Sequence, residues 1–454
     1  MSPMPLRNGT CIAFWFVATL GLAQADEAPR LDLFRQVQLQ PNDLARYTYL
    51  TKITPHLTPA DHLLATQLRA AAEAELGLYN EAILHFPLVS RVPSELALPQ
   101  ASAWRAVDAT DAIAQAAAKH RIVLVNEAHH DAHTRQLTLA LLPRLRALGF
   151  NYFAAEALGE NDTALTQRGY PVTATGSEYL HEPLYGEIIR TAIRLGFTIV
   201  PYDSSARTTA GRETEQAHNL YQRVFVKDPN ARLFVHAGYA HIDKAKGRLG
   251  NIEPMAMQLQ GLTGLEPLSI DQTEFRDVLL ENNQDIYHQI LAAFDPQMPT
   301  VLLDHASGKT WSTDAKKFDI SVILPPALEQ QTVKGAPTAW MSFGLEGIPV
   351  KRSTDVMPRP SWLSLGGQRK TFPIDATLCA RTLPCVVEAH YVNEPNDASA
   401  ADRYTFVKAD TTESLYLFPG RYRLRAWSVD GKTLSEKTIE LRDTDTPTTA
   451  EPTA

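Results

Sequence analysis

Cysteine is scarce: the 454-residue chain has three. That number excludes a disulfide-built scaffold and a cysteine-rich zinc module. Basic runs are missing as well, with 43 Lys and Arg against 51 Asp and Glu and a formal net charge of -8. A nucleic-acid binder carries a basic face, so no nucleic-acid partner is expected. No apolar run reaches the ~20 residues that a spanning helix needs, so no stable membrane span is expected. Three catalytic signatures are also missing. Without a G-x-S-x-G elbow, a serine-triad hydrolase lacks its local mark. Without H-E-x-x-H, the commonest zinc-protease pattern is gone. Ser307-Gly308-Lys309-Thr310 has the tail of a phosphate loop, but Leu303 stands where its first glycine belongs.

What remains is ordinary globular composition, 44% hydrophobic and 21% charged, at a length that suits about three domains of roughly 150 residues. Arg7 precedes a short apolar run from Cys11 to Leu22, followed by Ala23-Gln24-Ala25. That order matches a secretory signal peptide, with cleavage expected after Ala25 and an exported, periplasmic or secreted product. Cys11 leaves with the signal. In an oxidising compartment the remaining pair, Cys379 and Cys385, is most simply one local disulfide, two free thiols being the alternative.

The expected organisation is a signal over 1–25, a helical segment over 26–100, an α/β core over 101–325, a linker over 326–337, a β-sandwich over 338–442 and a disordered tail over 443–454. In the helical segment, Ala65, Leu68, Ala72, Leu76 and Tyr79 lay an apolar stripe at three- and four-residue steps. Residues 74–83 look like half a tetratricopeptide repeat without a second copy. The core alternates short apolar strands (Ile122–Val125, Phe153–Ala155, Phe197–Val200, Leu233–Val235, Thr300–Leu303, Ile320–Leu324) with helical stretches near 135–148, 184–195, 212–224 and 252–259. The fold class is therefore α/β, a mainly parallel sheet with helices on both faces, preceded by helices and followed by a small sandwich. Asp430-Gly431 between two alternating runs predicts a hairpin in that sandwich.

Four strands end on ionisable residues: Glu127, His129, His130 and His133 after the first, Glu156 after the second, Tyr202 and Asp203 after the third, His236 and His241 around the fourth. Open α/β sheets form their ligand crevice at that edge. His305, after a later strand, could join them. Imidazoles and carboxylates together suit a divalent ion such as zinc, manganese or iron. They equally suit a metal-free histidine base oriented by a glutamate.

Asn126-Glu127-Ala128-His129, Glu156, the run from Arg212 to Leu220, and Gly238-Tyr239-Ala240-His241 with Gly247 and Gly250 resemble, in order, the motifs of the erythromycin esterase, ChaN and Tiki/TraB group. The resemblance spans residues 122–271 and departs at Asn126, where the group has glycine, and at Gln216, where it has methionine. It implies a hydrolase of ester or peptide bonds, metal-dependent in some branches, acting on a small-molecule or peptide substrate. Glu127, His129, Glu156, Arg212 and His241 would carry the chemistry, and His129, His241, Glu127 and Glu156 would be the metal ligands. The group's spacing leaves His129 and His130 both open. Two other readings follow: a ChaN-like protein holding haem or metal without turnover, and an envelope interaction module with a degenerate core that binds a partner through the sandwich. If the export reading holds, N-terminal sequencing of protein recovered from the periplasm or medium starts at Asp26; a start at Met1 overturns it.

Overall fold

In the computed structural model, residues 27–87, 96–277, 286–326 and 359–443 are described. The signal, most of the linker, the first part of the sandwich span and all but the first residue of the tail lie outside them. Four helices open the described chain: α1 (Glu27–Gln38), α2 (Asp43–Ile53), α3 (Pro59–Glu75) and α4 (Tyr79–His85). Asn42 and Thr58 cap α2 and α3 by accepting from the amides of Ala45 and Asp61, as short polar side chains do at helix starts.

The core follows as β1 (Trp104–Asp108), α5 (Ala109–Ala117), β2 (Ile122–Glu127), α6 (His133–Ala147), β3 (Tyr152–Ala155), α7 (Leu165–Arg168), α8 (Pro183–Arg194), β4 (Thr198–Pro201) and α9 (Thr209–Leu220). It continues through β5 (Leu233–Gly238), α10 (Met255–Thr263), β6 (Leu268–Phe275), α11 (Ile286–Phe294), β7 (Thr300–Asp304) and β8 (Ile320–Ile323). The eight strands form one sheet in the order β1-β7-β8-β6-β2-β5-β3-β4. Strands β8, β6, β2, β5, β3 and β4 run parallel. β7 and β1 add an antiparallel edge. Strands buried on both faces read as continuous apolar runs, and here alternate residues feed two cores. Val123, Val125, Phe153 and Phe234 pack with Leu141, Leu145 and Ile188 on one face. Ile122, Leu124, Ala154 and Val235 pack with Leu220, Met255 and Leu259 on the other.

Two strands of this sheet escaped the sequence pattern, as did the helices α5, α7 and α11. β6 is interrupted by polar Ser269, Asp271, Gln272 and Thr273, all buried, so its alternation is hidden. β1 is a half-exposed edge strand with only an intermediate apolar signal. Because β7 runs antiparallel to β8, His305 leaves the sheet at the edge opposite the crevice. It is exposed there, 3.4 Å from the Ala101 carbonyl.

Two small antiparallel sheets close the described chain: β9 (Lys370–Asp375) with β12 (Thr412–Leu417), and β11 (Asp402–Phe406), β10 (Cys385–Tyr391), β13 (Gly420–Ser428) and β14 (Thr433–Leu441) in that order. They share one apolar core, in which Leu415 and Leu417 meet Val387, Leu424 and Ala426. The β13–β14 hairpin turns at Asp430-Gly431. Cys379 and Cys385 form a disulfide with Cα atoms 5.8 Å apart. Among the described residues no helix is long and apolar enough to cross a membrane.

The helical segment is wedged between core and sandwich. Leu44 and Leu76 pack with Val386 and Trp427, and Leu78 enters the sandwich core. At one junction Asp43 from α2 accepts from Arg46 at 2.6 Å, Arg403 of β11 at 2.8 Å and His181 of the core at 2.9 Å. The turn after α3 requires glycine. Gly77 has φ +76°, and a Cβ there would lie 2.0 Å from the Arg403 carbonyl oxygen. Both strain and clash oppose any side chain. Gly77→Ala is therefore expected to destabilise the fold by about 2 kcal/mol or more, read as a lower denaturant midpoint; an unchanged midpoint would mean that the β11 contact is not made.

A candidate acid–base site at the carboxyl ends of the parallel strands

The sheet order decides which of the strand-end residues meet. β5 lies between β2 and β3, with Gly238 opposite Glu127 and His236 opposite Ala155. Glu127 and Glu156 therefore flank Gly238 from either side. His129 leans across it, so a Cβ on Gly238 would lie 2.5 Å from His129 Cε1, 2.6 Å from its Nε2 and 3.1 Å from Glu156 Oε2. The glycine is what lets a histidine from one strand and a carboxylate from another share this space. The next residue, Tyr239, is held at φ +38°. This is a strained conformation for a side-chain-bearing residue, of the kind that collects at functional sites.

Glu127 is fully buried. One carboxylate oxygen accepts from His129 Nδ1 at 2.9 Å, and the other accepts from Arg135 Nε at 2.6 Å and lies 3.2 Å from His236 Nε2. Burial alone would push this carboxyl up; Arg135, then His236, hold it well below the usual carboxylate range. An ionised Glu127 fixes the His129 tautomer with the proton on Nδ1 and leaves Nε2 as the basic nitrogen, facing Gly238. The His129 ring is stacked on Tyr179, with centroids 4.3 Å apart, and meets the edge of Tyr239.

Glu156 mirrors this arrangement. It accepts from the Gly238 amide at 2.6 Å and from Arg212 at 3.0 Å, and lies 3.3 Å from His241 Nε2. Against its burial, His241 and Arg212 hold it below the ordinary range. His241 Nδ1 in turn sits 2.8 Å from Glu213. Burial works against a charged imidazole here, but Glu213 and Glu156 push His241 up to about 10. It is thus an imidazolium at neutral pH.

One face of α9 builds the far wall. Arg212 and Gln216 both donate to Asp203, and Asn219 donates to the Tyr202 and Asp203 carbonyls. The i, i+4, i+7 spacing of these three residues puts them in line on a helix. Gln216, at the departure from the group's motif, serves as a donor to Asp203. Asn126, at the other departure, pins β2 to β6 through Asp271 at 2.6 Å and the Gln272 amide at 2.9 Å.

The structure separates the clustered histidines. His129 faces the crevice. His130 turns away, stacked on Phe86 and 3.2 Å from the Tyr239 hydroxyl, and burial followed by Arg276 depresses it far below the usual range. His133 stacks on Trp362 and is pushed down to about 3 by burial. His236 is wholly buried behind Glu127, with Thr138 at its Nδ1. Tyr202 donates to the His236 carbonyl and supports the strand end.

The residues that sequence reasoning passed over are Arg135, Glu182, Glu213, Tyr179 and Tyr239. Glu182 had a signal: it precedes Pro183 and caps α8, accepting from Leu184 and Tyr185, and a cap before proline is legible in sequence. Arg135 had none, since nothing local tells a buried arginine from a solvated one.

The four residues expected to ligate a metal do not form a cation cage. Both oxygens of Glu127 and of Glu156 are engaged, two guanidinium groups stand among them, and His241 is bracketed by carboxylates. Among the described residues, the one His/Asp/Glu group with ligand atoms within 4.8 Å of one another is Asp43, Glu75 and His181. That group lies at the three-part junction, already neutralised by Arg46 and Arg403.

No family model and no curated protein matches the chain. Similar solved structures include one described as bacterial protein toxins, at 20% identity over 34% of this chain and 34% of that one, with TM-score 0.25. The type III effector HopBA1 is similar at 12% identity over 43% of this chain and 95% of its own, with TM-score 0.28. RRSP, a MARTX toxin effector domain from Vibrio vulnificus, is similar at 18% identity over 31% of this chain and 32% of its own, with TM-score 0.23. The matched stretch spans about a third of the first of these chains. Overlaps this shallow carry no argument about activity.

The His241 geometry has a consequence for stability. Its folded value, about 10, lies above the unfolded value of 6.5. Its contribution is therefore complete below about pH 6.5 and is lost as pH rises through about 10. Denaturant unfolding from neutral to alkaline pH is expected to show a falling midpoint whose slope is shallower in His241→Gln; equal slopes would mean that the imidazolium is not there.

Proposed function

We propose that this is an exported, metal-independent hydrolase in which His129 is the general base. The observation that carries the reading is the Glu127–His129 pair. An ionised carboxylate, itself anchored by Arg135, holds Nδ1–H at 2.9 Å and turns Nε2 toward Gly238. A neutral imidazole so oriented takes a proton from water as that water attacks a carbonyl, the carboxylate behind it stabilises the imidazolium that forms, and the imidazolium returns the proton to the departing alkoxide or amine as the C–O or C–N bond breaks. Glu127 has no need to accept the proton itself.

The opposite wall supplies positive charge. Arg212 and the His241 imidazolium are held by Glu156, Asp203 and Glu213. Charge developing on a substrate oxygen there meets fixed cations among buried side chains, where such interactions are strongest. Ester and amide carbonyls both fit this chemistry, so the substrate class is a small-molecule ester or a peptide. The Cys379–Cys385 disulfide supports the exported half of the reading, because such bonds persist in oxidising compartments.

The test is a panel of chromogenic esters and peptides with the full-length mature chain. Glu127→Gln and His129→Gln are each expected to lower kcat/KM by about 10²–10⁴-fold. The double variant should be little worse than either, since the two act as a unit. Prolonged chelation should leave the rate unchanged. A rate lost on chelation and restored by a divalent ion overturns the metal-independent assignment, and a rate indifferent to both substitutions overturns the site.

A further inference from the structure

Behind the Glu127–His129 pair the buried charges continue inward and leave the region covered by the resemblance. Arg135, fully buried, donates its Nε to Glu127 at 2.6 Å and its Nη1 to Glu182 at 3.1 Å. It also donates Nη2 to the His129 carbonyl at 3.2 Å, gripping both the backbone and the carboxylate partner of the base. One cation is thus divided between two buried carboxylates. The second carboxylate, Glu182, has three other donors: the amides of Leu184 and Tyr185 at the start of α8, each at 3.0 Å, and the Tyr79 hydroxyl at 2.8 Å. Tyr79 opens α4 in the helical segment, 3% exposed. Its ring lies beneath the guanidinium of Arg359, 5.3 Å from the centroid, and Arg359 is paired through two bonds with Asp402 of the sandwich. Core, helical segment and sandwich therefore all reach the same buried chain of charges.

We infer that Tyr79 is a positioning residue for His129, acting through Glu182, Arg135 and Glu127. The inference rests on the reading of His129 as base and gives the helical segment a share in the site. The physical argument is one of partition. Each hydrogen bond that Glu182 receives from elsewhere reduces its claim on Arg135 and leaves that cation to Glu127. Removing the Tyr79 hydroxyl makes Glu182 a hungrier acceptor. Arg135 shifts toward it, and the Glu127 charge turns more fully onto His129 Nδ1–H. Removing the Glu182 charge does the opposite: Arg135 goes wholly to Glu127 and weakens its bond to the imidazole. A side chain that merely fills space between helices would not give two effects of opposite sign.

The measurement is the Nδ1–H resonance of His129 in full-length protein labelled with 15N-histidine, assigned by its loss in His129→Gln. It needs no substrate. Tyr79→Phe is expected to move the signal downfield and Glu182→Gln to move it upfield. Tyr422→Phe, which removes a buried hydroxyl donating to Phe418 within the sandwich, should leave it in place. A stationary signal in both Tyr79→Phe and Glu182→Gln, or movement in the same direction in both, overturns the inference. Should Tyr79→Phe fail to fold, a stationary or downfield signal in Glu182→Gln overturns it alone. Moved signals in a protein that hydrolyses nothing on the panel would keep Tyr79 as a positioning residue and sink the hydrolase reading instead.

Discussion

Two carboxylates, Glu127 and Glu156, are buried on either side of Gly238, and the crevice is built around keeping both ionised. Taking a carboxylate out of water costs several kcal/mol unless cations and amides replace the lost solvation. Here each has its own guanidinium, Arg135 for one and Arg212 for the other, and each has a histidine beside it. The two surroundings then set the two imidazoles to different tasks. His129 has one carboxylate behind it and an open nitrogen in front. His241 has carboxylates at both nitrogens and stays charged. The same residue type has one carboxylate partner in one place and two in the other, and packing of a few side chains makes the difference.

The division of labour extends across the chain. The α/β core supplies the strand ends and their guanidinium partners, and the other two parts brace the elements behind them. Glu182 receives Tyr79 from the helical segment, and Arg190 on α8 pairs with Glu394 of the sandwich region. Ser399 donates to the Leu180 carbonyl just before α8, and Asp43 joins all three parts. The helical segment has a small core of its own, in which Ala65 and Leu68 meet Leu33, Val37 and Leu50, while Leu76 packs with the sandwich and Tyr79 with the α/β core. Such contacts tie the three parts together.

Much of this was legible beforehand where the signal was local. Ile122–Val125, Phe153–Ala155 and Leu233–Val235 announced buried strands because both faces of each are covered. Glu127, Glu156 and His241 stood out because they follow those strands. Arg212, Gln216 and Asn219 share a helix face because their spacing requires it. β6 was missed because its buried residues are polar: Asp271 and Gln272 are inside to bond Asn126. Their partners lie well over a hundred residues away, so no window of sequence contains the reason. The choice between His129 and His130 was likewise invisible, since adjacent residues at a strand end can turn either way until the neighbouring strand is in place.

By itself, then, the sequence determined the alternation of apolar strands and helices, the hairpin at Asp430-Gly431, the single cysteine pair and the collection of ionisable groups at one sheet edge. These follow from periodicity and short-range stereochemistry, which act within a few residues. The insertion of β5 between β2 and β3 was decided only in three dimensions. With it came the glycine that lets His129 approach Glu156, the guanidinium that each carboxylate receives, and the charge on His241. Those depend on strand order and burial, which the whole fold sets at once, because the protonation of a buried group answers to whatever surrounds it in space.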